Sequence, residues 1–299
     1  MSRIMKIMGL NGSSFAPLLL GFGCSVPAIL STRRIETRSD RLVTIAVLPM
    51  MSCAGRLPIY MMFVSALFPS RLQAPVLFGI YASGVLLALC CARLLKNTLF
   101  KAPQRDSLHH MKRLRLPSLR KVGILMWSRA FMYVRKAGTF ILGASIILWF
   151  LNTYPRPEEN TAPTNAAAME HSYAGQIGHW MEPVTQVAGF DWKINSALVG
   201  AFAAKEIFVT QMGILYAVED GNSGPAAQQT LNARLKASYT PLQGISIMIF
   251  CLIALPCIGT VTVAKREAGT WWFALAQFGG LTLLGFATAT LIYQAGLLL

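Results

Sequence analysis

Long apolar blocks, separated by polar and mostly basic stretches, dominate the chain. A bilayer core about 30 Å thick takes about 20 helical residues to cross. Phe15–Leu30, Leu42–Phe68, Pro75–Leu95, Ala137–Leu151, Ile194–Val218 and Leu242–Ala264 meet or approach that length, and Trp271–Leu299 closes the chain. No long period-two alternation occurs, so the pattern predicts an all-α, polytopic transmembrane helix bundle. The first and fourth blocks are short, which predicts re-entrant segments or spans that extend into their flanks.

Three blocks carry helix-breaking residues at mid-membrane depth, each beside a cysteine. They read Gly21-Phe22-Gly23-Cys24-Ser25-Val26-Pro27, Pro49-Met50-Met51-Ser52-Cys53-Ala54-Gly55-Arg56-Leu57-Pro58 and Leu255-Pro256-Cys257-Ile258-Gly259. Proline removes a backbone donor and clashes with the preceding turn. In lipid the freed carbonyls need a partner, so such breaks persist only inside protein or along a cavity. Transporters hold ions on unwound backbone of this kind. Thiolate is a strong ligand for a borderline-soft divalent metal, neutral thiol a weaker one that lets the ion leave. The hydroxyls of Ser25 and Ser52 and nearby carbonyls would complete a shell; the alternative is close helix packing by small residues. A weak echo links Cys24, Pro27 and Arg33-Arg34-Ile35-Glu36 with Pro256, Cys257 and Lys265-Arg266-Glu267.

Composition sharpens the class. Of 299 residues 54% are hydrophobic and 13% charged, which argues against a disordered chain and against an ordinary soluble domain. The net charge of +15, from 27 Lys+Arg against 12 Asp+Glu, would suggest nucleic acid in a soluble protein; here it predicts basic cytoplasmic loops and no nucleic-acid partner. Arg33, Arg34, Arg38 and Arg41 form one basic stretch, and Arg93 to Lys136 a larger one with Asp106 as its only acid. Asn152–Trp192 sets Arg156 against Glu158, Glu159, Glu170, Glu182 and Asp191. The positive-inside rule places the first two inside and the last outside. Simple alternation then puts Glu219–Tyr239 inside and Lys265-Arg266-Glu267 outside, against the charge of Lys265 and Arg266; a re-entrant segment would relieve that conflict. Within the larger basic stretch, Ile124, Trp127, Phe131 and Val134 recur at helical spacing among Arg120, Lys121, Arg129 and Arg135, which predicts an interfacial amphipathic helix over Ser118–Lys136.

The charges left inside the spans are the informative ones. Lys205 and Glu206 lie mid-block, where a charge costs about 2.5–3.5 kcal/mol on insertion scales. Neighbours on a helix point about 100° apart, so each wants another partner, with Arg56 expected opposite Glu206. Glu206 is read as lining a cation path, with Arg56 and Lys205 as electrostatic supports; a structural ion pair is the alternative. Cys90, Cys91 and Cys251 read as small buried hydrophobes. His179 and Glu182 are three apart and share a helical face in the outer loop. No phosphate loop, zinc-protease H-E-x-x-H, G-x-S-x-G elbow or Cys-x-x-Cys occurs, so the sequence points to no enzyme. No secretory cleavage site is expected after Arg3 and Lys6.

Ser14 to Ile29 and Pro49 to Pro58 closely resemble gate motifs of the bacterial ferrous iron transporter FeoB family. Ala204-Lys205-Glu206 resembles its second-gate signature, and Pro256-Cys257 with Lys265-Arg266-Glu267 a later counterpart. One position departs: the family usually has Asn after the gate Cys, where this chain has Ser25. The resemblance implies a permease for Fe(II) in the bacterial inner membrane, with Cys24, Cys53, Cys257 and Glu206 in the cation path. Fe(II) would be cargo, with no cofactor bound permanently. It implies as partners the lipid bilayer, a separately encoded GTPase half and small cytoplasmic Feo proteins, and leaves a homo-oligomer open. Met1 to Met5 resembles an internal piece of the family, so the GTPase is expected to be absent. The implied divisions are 1–95, first gate region; 96–136, basic cytoplasmic loop with interfacial helix; 137–152, transmembrane helix; 153–192, extracytoplasmic loop; and 193–299, second gate region. Alternatives are a non-transporting remnant or membrane scaffold, and a carrier of nucleoside-like solutes.

Overall fold

A computed structural model describes residues 12–99, 118–155, 170–216 and 225–298. Much of the large basic stretch, including Lys101, Arg105, His109 and His110, lies outside the described residues, as do Glu158, Glu159 and Glu219. Every regular element among the described residues is helical. Four stretches are long and apolar enough to cross a membrane: Arg38–Leu67, Ser70–Thr98, Pro241–Ala268 and Trp271–Leu297.

The first block is a hairpin. Helices α1 (Phe15–Gly21) and α2 (Ser25–Ser31) are joined by the turn Phe22-Gly23-Cys24 and pack on each other. At the base of α1, the Thr44 hydroxyl donates to Ser14 Oγ at 3.0 Å. Thr44 belongs to α3 (Arg38–Val47), one turn beyond Asp40, which pairs with Lys96 near the end of α5 (Ser70–Thr98). Arg33, just past α2, meets Arg41 at a shared carboxylate, Glu267. Both ends of the hairpin therefore sit at one basic end of the bundle. The chain then runs through α3, an irregular stretch from Leu48 to Arg56, and α4 (Leu57–Leu67), before α5 returns. Pro49 and Pro58 account for the interruption, each sitting where a new helical turn starts.

A second hairpin enters from the opposite end, after α7 (Tyr173–Thr185). Asp191 caps α8 (Trp192–Ala203) by accepting from the Ile194 amide at 2.9 Å. The helix stops at Ala204, and α9 (Lys205–Tyr216) runs back. Its last residue returns to its start: Tyr216 donates to the Tyr239 hydroxyl at 2.9 Å, and Tyr239 donates to Asp191 at 2.8 Å. The Lys193 ammonium lies 4.6 Å from the Tyr216 ring centre. Midway, Gln211 donates to Ser196 at 3.1 Å across the two arms. After α10 (Pro225–Ser238), the Thr240/Gln243 capping box starts α11 (Pro241–Ile253). That span breaks over Ala254–Cys257 and resumes as α12 (Ile258–Ala268), which ends at the basic end through Glu267. Then α13 (Trp271–Leu297) crosses back, and Gln294 donates to the Val187 carbonyl at 2.9 Å.

Two halves of opposite sense result. Each is a re-entrant hairpin, a broken span and a long unbroken helix. This removes the parity conflict and overturns simple alternation: α9 does not cross, so the start of α11 lies with Asp191 and Lys265-Arg266-Glu267 lies with the basic residues. It also corrects the internal echo. Sequence likens Cys24 to Cys257, which belongs to a broken span, whereas the structure matches hairpin with hairpin. Between the halves runs α6 (Leu119–Thr153), 35 residues long. At 1.5 Å per residue it extends roughly 52 Å, well past a bilayer core. The expected interfacial helix and the fourth block are thus one continuous helix, with Ile124, Trp127 and Phe131 exposed. It joins the acidic end, where Gln211 donates to Asn152 at 3.1 Å and Phe150, Tyr154 and Tyr173 stack.

Candidate ion pathway at the broken helices

The four interruptions come together at the middle of the bundle. The Ala54 amide, in the first broken span, donates to the Gly23 carbonyl at the tip of the first hairpin, at 3.2 Å. The next residue, Gly55, faces the tip of the second hairpin: a Cβ added there would stand 2.8 Å from a carboxylate oxygen of Glu206. Lys205, beside Glu206, donates to the Ala254 carbonyl of the second broken span at 3.5 Å. Gly259, in the first turn of α12, lies against Val26 in the first turn of α2. Helices α2 and α12 thus run parallel from their cysteines at this junction to Arg33 and Glu267 at the basic end.

Cys24, Cys53 and Cys257 occupy equivalent places. Each immediately precedes a new helical turn, with extended backbone: Cys24 before α2, Cys53 before the turn Ala54–Arg56, and Cys257 before α12. All three are reduced thiols, half-buried. Helix starts leave amide donors without intrahelical partners, so these thiols border polar backbone rather than lipid. The Cys257 sulfur lies 3.1 Å from the Thr260 hydroxyl. Ser25 is buried, and the buried Ser52 hydroxyl lies 3.3 Å from that of Tyr60.

The two buried cations at this junction, Arg56 and Lys205, serve the freed carbonyls. Arg56 donates to the Pro49 carbonyl at 2.6 Å and the Met51 carbonyl at 3.3 Å. Proline and the turn that follows leave these acceptors without helical donors, and a fixed guanidinium fork reaches both. The expected Arg56–Glu206 pair is therefore not formed; Arg56 is committed to backbone, while the Glu206 side chain is exposed beside Gly55. Lys205 does the same for Ala254 and lies within electrostatic reach of Cys53, Cys251 and Cys257.

Among the described residues, no three His, Cys, Asp or Glu side chains are grouped to hold a metal ion. The predicted residues gather around one junction without forming a ready-made chelate. Sequence reasoning passed over Gly55, Tyr60 and Thr260. Thr260 had a signal, since three residues past a helix start is a capping distance. Cys251 is buried as expected, whereas Cys90 is exposed on α5. His179 lies at the acidic end, 3.3 Å from Glu182 and 3.5 Å from Glu170, and stacks on Trp192.

A family model described as Gate, nucleoside recognition, matches residues 1–67 and 134–271. A second, described as ferrous iron transport protein B C terminus, matches residues 77–129. The chain belongs to the Gate family, in the form found in ferrous iron transport protein B. Its Gate segments hold both hairpins and both broken spans described above. An Fe(2+) transport protein A/Fe(2+) transporter FeoB fusion protein of Porphyromonas gingivalis is 37% identical, over 100% of this chain and 39% of its own length. The Fe(2+) transporter FeoB of Campylobacter jejuni is 38% identical over 92% of this chain and 45% of its own. That of Helicobacter pylori (strain 26695) is 33% identical over 98% and 50%. The chain thus spans about half or less of the length of these relatives. No solved structure matches it.

Proposed function

We propose that these residues form the membrane pathway of a ferrous iron importer of the bacterial inner membrane. The observation that carries this reading is the meeting of two opposed hairpin tips with two broken spans, bordered by three half-buried thiols. Fe(II) would pass Cys24, Cys53 and Cys257 with the Glu206 carboxylate, helped by the hydroxyls of Ser25 and Ser52 and by backbone carbonyls. Arg56 and Lys205 hold the breaks in shape. Half-buried thiols, hydroxyls and backbone carbonyls suit cargo, because conduction needs sites weak enough to release the ion. The basic end would face the cytoplasm. A GTPase half and small cytoplasmic Feo proteins would act there; the Porphyromonas relative, a fusion of transport protein A with the transporter, supports the pairing with a small Feo protein.

The family description favours a second reading, a carrier of nucleoside-like solutes. Anaerobic uptake of radiolabelled Fe(II), in a strain without its own transporter, separates the two. The chain is produced with and without a GTPase half, and excess nucleoside or Mn(II) is added as competitor. The ferrous reading expects GTPase-dependent Fe(II) uptake that nucleoside leaves unchanged. Nucleoside uptake with no Fe(II) uptake would replace it.

A further inference from the structure

At Ala54-Gly55 both hairpin tips meet the first broken span: Ala54 binds Gly23, and Gly55 faces Glu206. The backbone does not explain a glycine at 55. Among the described residues only Gly189 and Gly269 are glycines with positive φ, and Gly55 lies in an ordinary 3-10 turn. Space explains it. An added Cβ would be 2.8 Å from Glu206 Oε1, while its next neighbours, Glu206 Cδ at 3.5 Å and Lys205 Cβ at 3.6 Å, are ordinary contacts. The missing side chain is a notch, and a carboxylate oxygen fills it.

Resting on the ferrous reading above, we infer that Gly55 is a positioning residue for Glu206: its missing side chain lets the carboxylate seat against the first broken span, at the edge of the ion path. A methyl group at 55 displaces the end of a flexible side chain and nothing else. The fold then survives Gly55→Ala, and the change falls on where the carboxylate stands. Aspartate at 206 is shorter by one methylene, so its carboxylate does not reach the notch, and a methyl at 55 no longer meets it.

The test is a double-mutant cycle on the full chain with its GTPase half, using anaerobic Fe(II) binding and thermal unfolding. Gly55→Ala alone weakens Fe(II) binding about tenfold, the scale of losses when a ligand's positioning partner is changed. In the Glu206→Asp background, the same Gly55→Ala change produces no further loss. The melting temperature of Gly55→Ala stays within a few degrees of the parent. Equal losses in both backgrounds, or no loss in either, would overturn the inference. The unfolding cycle reads the contact without iron: Gly55→Ala should shift the melting temperature of the parent differently from that of the Glu206→Ala variant. If that coupling holds but Glu206→Gln binds Fe(II) normally, the ferrous role of Glu206 fails while the notch stands. If the coupling is absent, the notch fails whatever Fe(II) does.

Discussion

Arg56 shows how a single buried charge can be structural at the centre of the proposed path. Its guanidinium reaches two carbonyls that the Pro49 break sets free, and its Nε has no partner among the described residues. Buried carbonyls left without donors cost free energy, and hydrogen bonds from a charged group contribute about 1.5–3 kcal/mol each. Arg56→Ala should therefore lower the melting temperature of the purified protein strongly, and Arg56→Lys should recover only part of it, since one ammonium lacks the fork. A melting temperature unchanged in Arg56→Ala would contradict this role. The sequence marked Arg56, Lys205 and Glu206 as informative because charge inside lipid is costly. It could not say which acceptors they serve. Those acceptors are backbone carbonyls brought close by tertiary packing, and residue types carry no trace of them.

At the scale of elements, the breaks were legible and the hairpins were not. Gly, Pro and Cys clusters located three interruptions, because they change local backbone preference. The fourth, at Ala204, has no Gly or Pro; α8 ends where Lys205 turns toward Ala254, a tertiary cause. Two ties close the elements at their ends. At the basic end Glu267, with a side chain 2% exposed, holds both Arg33 and Arg41, and this partnership raises the Arg33 pKa. Glu267→Ala should free α2 from α12, so a membrane-impermeant maleimide applied from the basic side should label Cys24 or Cys257 faster; unchanged labelling would mean that this tie does not close the path. At the acidic end burial raises the Asp191 carboxyl above its usual range. The folded state then holds that proton more tightly than the unfolded one, so its stabilising contribution is present below the ordinary value of about 4 and is lost as pH rises through the folded value. Asp191→Asn should flatten the melting-temperature profile across that window.

The whole molecule is two halves of opposite sense around one junction. Hydropathy revealed the all-α membrane class and most of the apolar lengths, since lipid enforces both. It missed the inverted arrangement because a re-entrant hairpin and a full span have similar apolar content; the Asp191–Tyr239–Tyr216 chain and the Lys193 contact with the Tyr216 ring show that α8 and α9 start and end together. The central claim is that Fe(II) passes at this junction between thiols. It is tested most directly by anaerobic Fe(II) uptake in a strain without its own transporter, comparing the parent with a Cys24→Ser, Cys257→Ser double variant, each supplied with the GTPase half and matched for membrane abundance. The account predicts that uptake falls to the level of cells without the protein. Full uptake by the double variant would contradict it.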